Sequence, residues 1–242
     1  MEAFKKLLKG RRTLVFMDFE GTQFSHEIIA IGCAKIKCDE NGMIDTSSYT
    51  TYKRYVKCYG PIGRIVINMT GITNTILKEE GVPLEQMFSE LNEFIGEDFE
   101  DSCFITFGSN DARMLIDSIK LSRPENSDIG LEICKRTIDF LAFIGQFIRD
   151  KNGNNYSLTN YLKLYEKEPF GQSHDPLNDA IDLMNLYDCF MNDKELMFRE
   201  YLQILKKQKA FPTPIKKIIN RLMNNETITP EDFKKEINKF LD

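Results

Sequence analysis

The run Thr13-Leu-Val-Phe-Met-Asp-Phe-Glu20 constrains the fold more than any other stretch of the chain. Its first five residues are β-branched, aromatic or aliphatic and read as a buried strand. Asp18 and Glu20 then interrupt it at i and i+2, so both carboxylates leave the strand on the same face. Burying two like charges side by side is costly unless a cation or another partner offsets them. The pattern D-x-E alone is weak, because it recurs at Asp98/Glu100 and Asp193/Glu195. The second copy lies in an acidic run between a helix and a strand, the third opens a helix, and both read as solvated surface.

Around this strand, β and helical periodicities alternate. His26 to Lys37 forms a second strand, and Gly21-Thr22-Gln23-Phe24-Ser25 between them reads as a hairpin turn. A third strand is expected near Tyr49–Val56, followed by a loop carrying Gly60, Pro61 and Gly63. After Pro83, Leu84, Met87, Phe88, Leu91 and Phe94/Ile95 share one helical face suited to covering a sheet. Ser102–Phe107 is a short buried strand ending at Gly108-Ser109-Asn110, with helical spacing from Asp111 to Leu121. Thr137–Asp150 reads as a strand end running into a helix, and Ser157–Tyr165 and Pro176–Met191 as amphipathic helices. Strand-then-helix alternation predicts an α/β layer rather than a bundle. Beyond about Asp193 only helices are expected, at Glu195–Lys207, Pro214–Met223 and Pro230–Leu241. Thr213-Pro214 and Thr229-Pro230 read as a capping residue followed by a first helical position. The expected organisation is one domain over 1–192 and a helical appendage over 193–242.

The chain has 242 residues, with 32 basic and 37 acidic side chains, so 32 − 37 gives a net charge of −5. An acidic pI near 5.3 argues against coating nucleic acid by bulk charge. It is compatible with a locally basic channel beside an acidic site. The longest apolar stretch, Ile28 to Ala34, is far short of the roughly 18 residues a membrane helix needs. The basic N-terminal segment lacks the apolar core of a secretory signal and reads as either a frayed amphipathic helix or a substrate contact. Six cysteines contain no C-x-x-C pair and read as reduced thiols of a cytoplasmic protein.

Two further elements carry chemistry. Asp111 follows a buried strand at the start of a helix, where chain ends present functional groups and where helix-dipole stabilisation is the plainer reading. His174 and Asp179 would lie roughly 140° apart if both were helical. Asp175-Pro176 resolves this as a cap and first helical position, leaving His174 on a polar loop and Asp179 in the first turn. Asp18, Glu20, Asp111 and Asp179 together supply four negative charges, the number that offsets two divalent cations. Hard oxygen ligands favour Mg²⁺ or Mn²⁺ over zinc. The chemistry inferred is two-metal phosphodiester hydrolysis, with His174 available for proton transfer.

The motifs FMDFEGT, FGSNDARML and HDPLNDAIDL, in that order, resemble those of the DEDDh, or DnaQ-like, 3′→5′ exonucleases, which have an RNase H-like fold. The similarity covers roughly residues 11–192 and includes NMTGIT at 68–73. The D-F-E form and the T-G-I-T segment lean toward the Eri-type and KapD-like branch, associated with RNA trimming. The resemblance implies a mixed sheet flanked by helices, and a substrate that is the 3′ end of single-stranded RNA or DNA. It also implies that Asp18, Glu20 and Asp179 hold one metal, that Asp18 bridges to a second, and that Asp111 assists through metal-bound water. His174 is implied as general base, and the product as a nucleoside 5′-monophosphate. Gly21 and Thr22 would let the backbone approach the terminal nucleotide. Phe24 stands where relatives often have leucine, either stacking on a base or packing on the core. Ala30 departs from the glutamate that relatives often carry and is not among the five catalytic positions. A silent binding module would usually lose one of those five, and none is missing. Another phosphoesterase would hydrolyse simple esters without needing a free 3′ end. The lysines of the appendage, such as Lys206, Lys207 and Lys216, read either as contacts to a phosphate backbone or as solvated helix faces.

Overall fold

Strand β1 (Thr13–Gly21) is the middle strand of a five-stranded sheet in the computed structural model, which describes residues 2–241. The outer ends of the two expected domains, residues 1 and 242, lie outside the described residues. β1 pairs antiparallel with β2 (Ile28–Lys37), which pairs antiparallel with β3 (Thr50–Tyr55). On its other side β1 runs parallel to β4 (Ser102–Thr106), which pairs in parallel with β5 (Thr137–Asp139). The expected hairpin and the mixed α/β sheet are both present.

In chain order, α1 (Glu2–Leu8) precedes the sheet, and α2 (Arg64–Thr70), α3 (Asn74–Glu79) and α4 (Leu84–Ile95) join β3 to β4. The next helices, α5 (Asn110–Ser122) and α6 (Ser127–Arg136), join β4 to β5. They are followed by α7 (Phe140–Ile144), α8 (Leu158–Leu164), α9 (Pro176–Asn192), α10 (Lys194–Lys206), α11 (Thr213–Met223) and α12 (Pro230–Leu241).

Period-two alternation sorts the side chains of β1 onto two layers. Val15, Met17 and Phe19 pack with Met87, Phe88 and Leu91 of α4, Leu115 of α5 and Ile133 of α6. Leu14, Phe16, Asp18 and Glu20 therefore take the opposite face. There the Phe16 ring meets Tyr187 of α9 at 5.3 Å, and Tyr187 meets Phe4 of α1 at 5.2 Å. Covering both faces explains why β1 and β2 read as near-continuous apolar runs.

Three helices were not expected. α2 and α3 follow the Gly60-Pro61-Gly63 segment read as loop, and neither exceeds two turns. α6 contains Gly130, where a Cβ would lie 2.6 Å from the Phe88 ring. Close packing on α4, rather than helix propensity, thus places glycine there. The helix expected to reach Asp150 stops at Ile144, ahead of Gly145. Thr213 is the first residue of α11 rather than its cap. Thr229 does cap α12, its Oγ1 accepting the Asp232 amide at 3.2 Å while Asp232 accepts the Thr229 amide at 3.0 Å.

Packing divides the chain into two compact units. One holds the residues up to Ala142 together with Ser157–Met191, and contains the sheet. The other holds Phe143–Tyr156 and the chain from Asn192 onward, with α10 packed on α11 and α11 on α12. Phe143–Tyr156, placed in the first domain by the reading of the sequence, groups with the C-terminal helices.

Candidate active site

Asp18 and Glu20 face α9 because they alternate with Phe19 on β1, and α9 reaches them because of Gly32. Gly32 is the register partner of Asp18 on β2. A Cβ there would lie 2.1 Å from the backbone carbon of Pro176, so the missing side chain lets the first turn of α9 rest on the sheet. Asp175 starts that turn, its Oδ1 accepting the amides of Leu177 at 3.1 Å and Asn178 at 3.4 Å. Its other oxygen pairs with Lys53. Asp179 follows as the fourth helical residue, and its Oδ2 accepts the backbone amide of His174 at 3.0 Å.

His174 is an exposed loop residue held at φ 64, in the left-handed region. Its Nδ1 lies 4.0 Å from Glu20 Oε1. Potential ligand atoms of Glu20, His174 and Asp179 all fall within 4.8 Å of one another. Asp111, from the first turn of α5, is buried and accepts the Phe19 amide at 3.0 Å, which brings it to the same end of β1. All five residues singled out in the sequence for catalysis thus meet at one end of the sheet. The other two D-x-E pairs behave as surface: Asp98 pairs with Lys37, and Asp193 caps α10 through the Leu196 amide at 2.8 Å.

The cluster is electrostatically strained. Burial holds the Asp18 carboxyl well above the usual range, and Asp111, Glu20, Asp179 and Asp175 add to it. Glu20 is pushed up to about 8 by burial, then by Asp179, Asp111 and Asp175. Burial raises Asp111 to about 7 against the opposing Phe19 hydrogen bond. Asp179 is raised by burial, with the His174 amide and ring working the other way. Among the described residues no lysine or arginine forms an ion pair with any of these four carboxylates. An all-oxygen donor set with unrelieved negative charge fits hard divalent cations.

The three residues expected near the substrate are placed differently from one another. A Cβ on Gly21 would lie 2.5 Å from Met114 Sδ, so glycine there permits close packing on α5. Thr22 is buried, its hydroxyl 2.8 Å from Ser25 Oγ and accepting the Glu27 amide at 3.0 Å. Phe24 is 70% exposed, so of its two readings the one that packs it on the core does not apply.

Two buried carboxylates escaped the sequence reading. Asp182 accepts the Phe170 amide at 2.7 Å and so anchors the loop that carries His174. Burial and the nearby Asp179 raise its pKa to about 6 against that hydrogen bond. Its signal was a lone acid on the apolar face of α9, one turn beyond Asp179. Glu27 accepts Ser25 Oγ at 2.7 Å and the amides of Tyr59 and Gly60 at 2.7 and 2.8 Å. Its signal was a charge directly abutting the apolar run of β2.

Residues 15–187 match the profile of the RNase T family, described as exonuclease. No curated protein sequence matches the chain. Among solved structures, it is similar to the nuclease domain of 3′hExo, a DEDDh family member bound to rAMP. That likeness has a TM-score of 0.61 at 19% identity, covering 76% of this chain and 94% of the other. A 3′-exonuclease in 3′-end specific recognition of a histone mRNA stem-loop gives 0.60 at 18%, covering 76% and 65%. Cell-death related nuclease 4 (CRN-4) gives 0.61 at 15%, covering 76% and 64%. The chain therefore spans just under two thirds of the length of the latter two. At these identities the likeness establishes the fold, a mixed sheet flanked by helices of the RNase H-like kind, followed by a C-terminal helical region.

Proposed function

The chain belongs to the RNase T family of exonucleases, and from that premise we propose that it is a metal-dependent 3′→5′ exonuclease of single-stranded nucleic acid, RNA before DNA, that releases nucleoside 5′-monophosphates. The observation that carries this reading is the meeting of Glu20, His174 and Asp179 within 4.8 Å, beside Asp18 and Asp111, in a chain of that family. The similar structures with rAMP and with a histone mRNA stem-loop support an RNA 3′ end as the substrate.

The family uses divalent cations. Here Asp18, Glu20 and Asp179 would hold two, Mg²⁺ or Mn²⁺. Asp111, one of whose oxygens already accepts the Phe19 amide, would contribute through water. When bound, the cations supply positive charge that stabilises the scissile phosphate and the departing 3′ oxygen. His174 is the general base. Its Nδ1 faces Glu20, which leaves Nε2 to take a proton from the attacking water. The water oxygen bonds to phosphorus, the bond to the preceding nucleotide's 3′ oxygen breaks, and that oxygen takes up a proton. Asp179 fixes His174 through its amide, and Asp182 fixes the loop behind it. Phe24 stacks on the terminal base, and the backbone at Gly21 and Thr22 admits the terminal nucleotide. We assign this chemistry to the unit that contains the sheet, the residues up to Ala142 together with Ser157–Met191, and place the protein in the cytoplasm because its six cysteines contain no C-x-x-C pair.

A 5′-labelled single-stranded RNA, beside a matching DNA, tests the reading in Mg²⁺, Mn²⁺ or EDTA. The expected result is a ladder shortening from the 3′ end, lost in EDTA and in Asp18→Ala. His174→Ala should slow it by about 10²–10⁴-fold, the usual share of a general base. Folded protein that binds either strand but cuts neither in any metal would make it a silent binding module on the same fold.

A further inference from the structure

Past the turn that follows Glu20, the segment from Lys57 to Pro61 and helix α3 line an open cleft of about 560 Å³. Its lining carries the ammonium groups of Lys57 and Lys78, the ring of Tyr59 and the amide of Asn74, and no carboxylate. In a chain of net charge −5 this is a local reversal of sign. Both lysines are exposed, and among the described residues neither forms an ion pair.

The cleft is physically joined to the site. Glu27, buried, accepts the amides of Tyr59 and Gly60 and the hydroxyl of Ser25, tying the cleft's edge to the turn that carries Phe24. A Cβ on Gly60 would lie 2.7 Å from Glu27 Oε1 and 2.8 Å from Ser25 Oγ, so the two loops approach this closely only with glycine there. The Gln23 amide donates to Ile62 O at 2.8 Å, next to Pro61. Gln23 is three residues beyond Glu20, at most about 11 Å of extended chain. The cleft's edge is thus tied on within a span of at most about three nucleotides at ~3.4 Å each. Tyr59 and Phe24, 82% and 70% exposed, are the most exposed aromatic side chains among the described residues, and both belong to these tied loops.

We propose that this cleft seats the single strand a few nucleotides upstream of its 3′ end, with Lys57 and Lys78 on phosphates and Tyr59 stacked on a base. The proposal rests on the exonuclease reading and adds to it the path of the strand away from the reacting end. Glu27 is a positioning residue that sets the spacing between Phe24 at the terminus and Tyr59 upstream. Stacking on Tyr59 is indifferent to base identity, and phosphate contacts are too, so the cleft grips any sequence.

The test is the affinity of a fluorescent RNA decanucleotide, measured by anisotropy in EDTA over a range of salt, so that binding is read whether or not the strand is cut. Lys57→Ala/Lys78→Ala should weaken binding by about 3–20-fold. It should also lower the slope of log K against log salt by about 1.4, or ~0.7 per phosphate contact. Tyr59→Ala should weaken binding about five-fold or more and leave the slope unchanged. Lys120→Ala/Lys135→Ala, on α5 and α6, removes the same charge elsewhere and should change neither value. An unaltered affinity and slope in the Lys57/Lys78 variant, an equal loss in the Lys120/Lys135 variant, or no binding by the unmodified protein overturns the cleft. Trimming of the same strand in Mg²⁺ is read separately: binding that depends on Lys57 and Lys78 without trimming would sink the exonuclease reading and leave the cleft standing.

Discussion

Burial is the largest cause of the raised pKa at Asp18, Glu20, Asp111 and Asp179 alike, and like charge adds to it. These carboxyls therefore cost the metal-free protein stability whenever they ionise. Their folded pKa values lie above those of the unfolded chain, about 4. The cost is absent below that pH, grows as pH rises, and is complete only above about 7 for Asp111 and about 8 for Glu20. In EDTA the unfolding temperature should accordingly fall between pH 6 and 8.5, and Mg²⁺ should remove most of the fall. Asp18→Asn, which deletes one of the repelling charges, should raise the unfolding temperature in EDTA at pH 8.5 while abolishing cleavage. Thermal scans at the two pH values, with and without Mg²⁺, check this, and a variant less stable than the unmodified protein under all four conditions would contradict it. The five clustered residues were legible in the sequence because acids at strand ends and a histidine beside a capped helix break an apolar pattern. Glu27 and Asp182 were not, since their partners are the backbone amides of Tyr59 and Phe170, 32 and 12 residues away.

Elements meet at this site through glycine. Gly32 leaves room for the backbone of Pro176, and the first turn of α9 carries Asp179 and steadies His174. Gly32→Ala would force that turn away from β2, an overpacking that typically costs about 1–3 kcal/mol. The expected outcome is a folded but destabilised protein whose cleavage rate falls by more than ten-fold, checked by unfolding temperature and single-turnover kinetics. Unchanged kinetics would mean that α9 does not need this contact to set the site. β1 to β4 and α4, α5 and α9 were readable because each keeps one pattern long enough to register. α2 and α3 were not, at 7 and 6 residues, and α6 was obscured by the glycine that its packing on Phe88 requires. The grouping of Phe143–Tyr156 with the C-terminal helices depends on tertiary contacts that no local pattern encodes.

At the scale of the molecule, an acidic chain is assigned a polyanionic substrate, which requires attraction to be local rather than global. The carboxylate cluster becomes attractive to a phosphate only once cations offset it, and the lysine cleft supplies the remaining grip. Among the described residues no helix is long and apolar enough to cross a membrane. The sequence motifs carried the family and the order of the site, whereas the strand's path needed the fold that sets Tyr59 beside Glu27. Attack at a free 3′ end is tested by comparing a 5′-labelled linear RNA with a circular RNA of the same sequence in Mg²⁺. The linear strand should shorten stepwise from its 3′ end to nucleoside 5′-monophosphates while the circle stays intact. Cutting of the circle, or loss of nucleotides from the 5′ end, would contradict it.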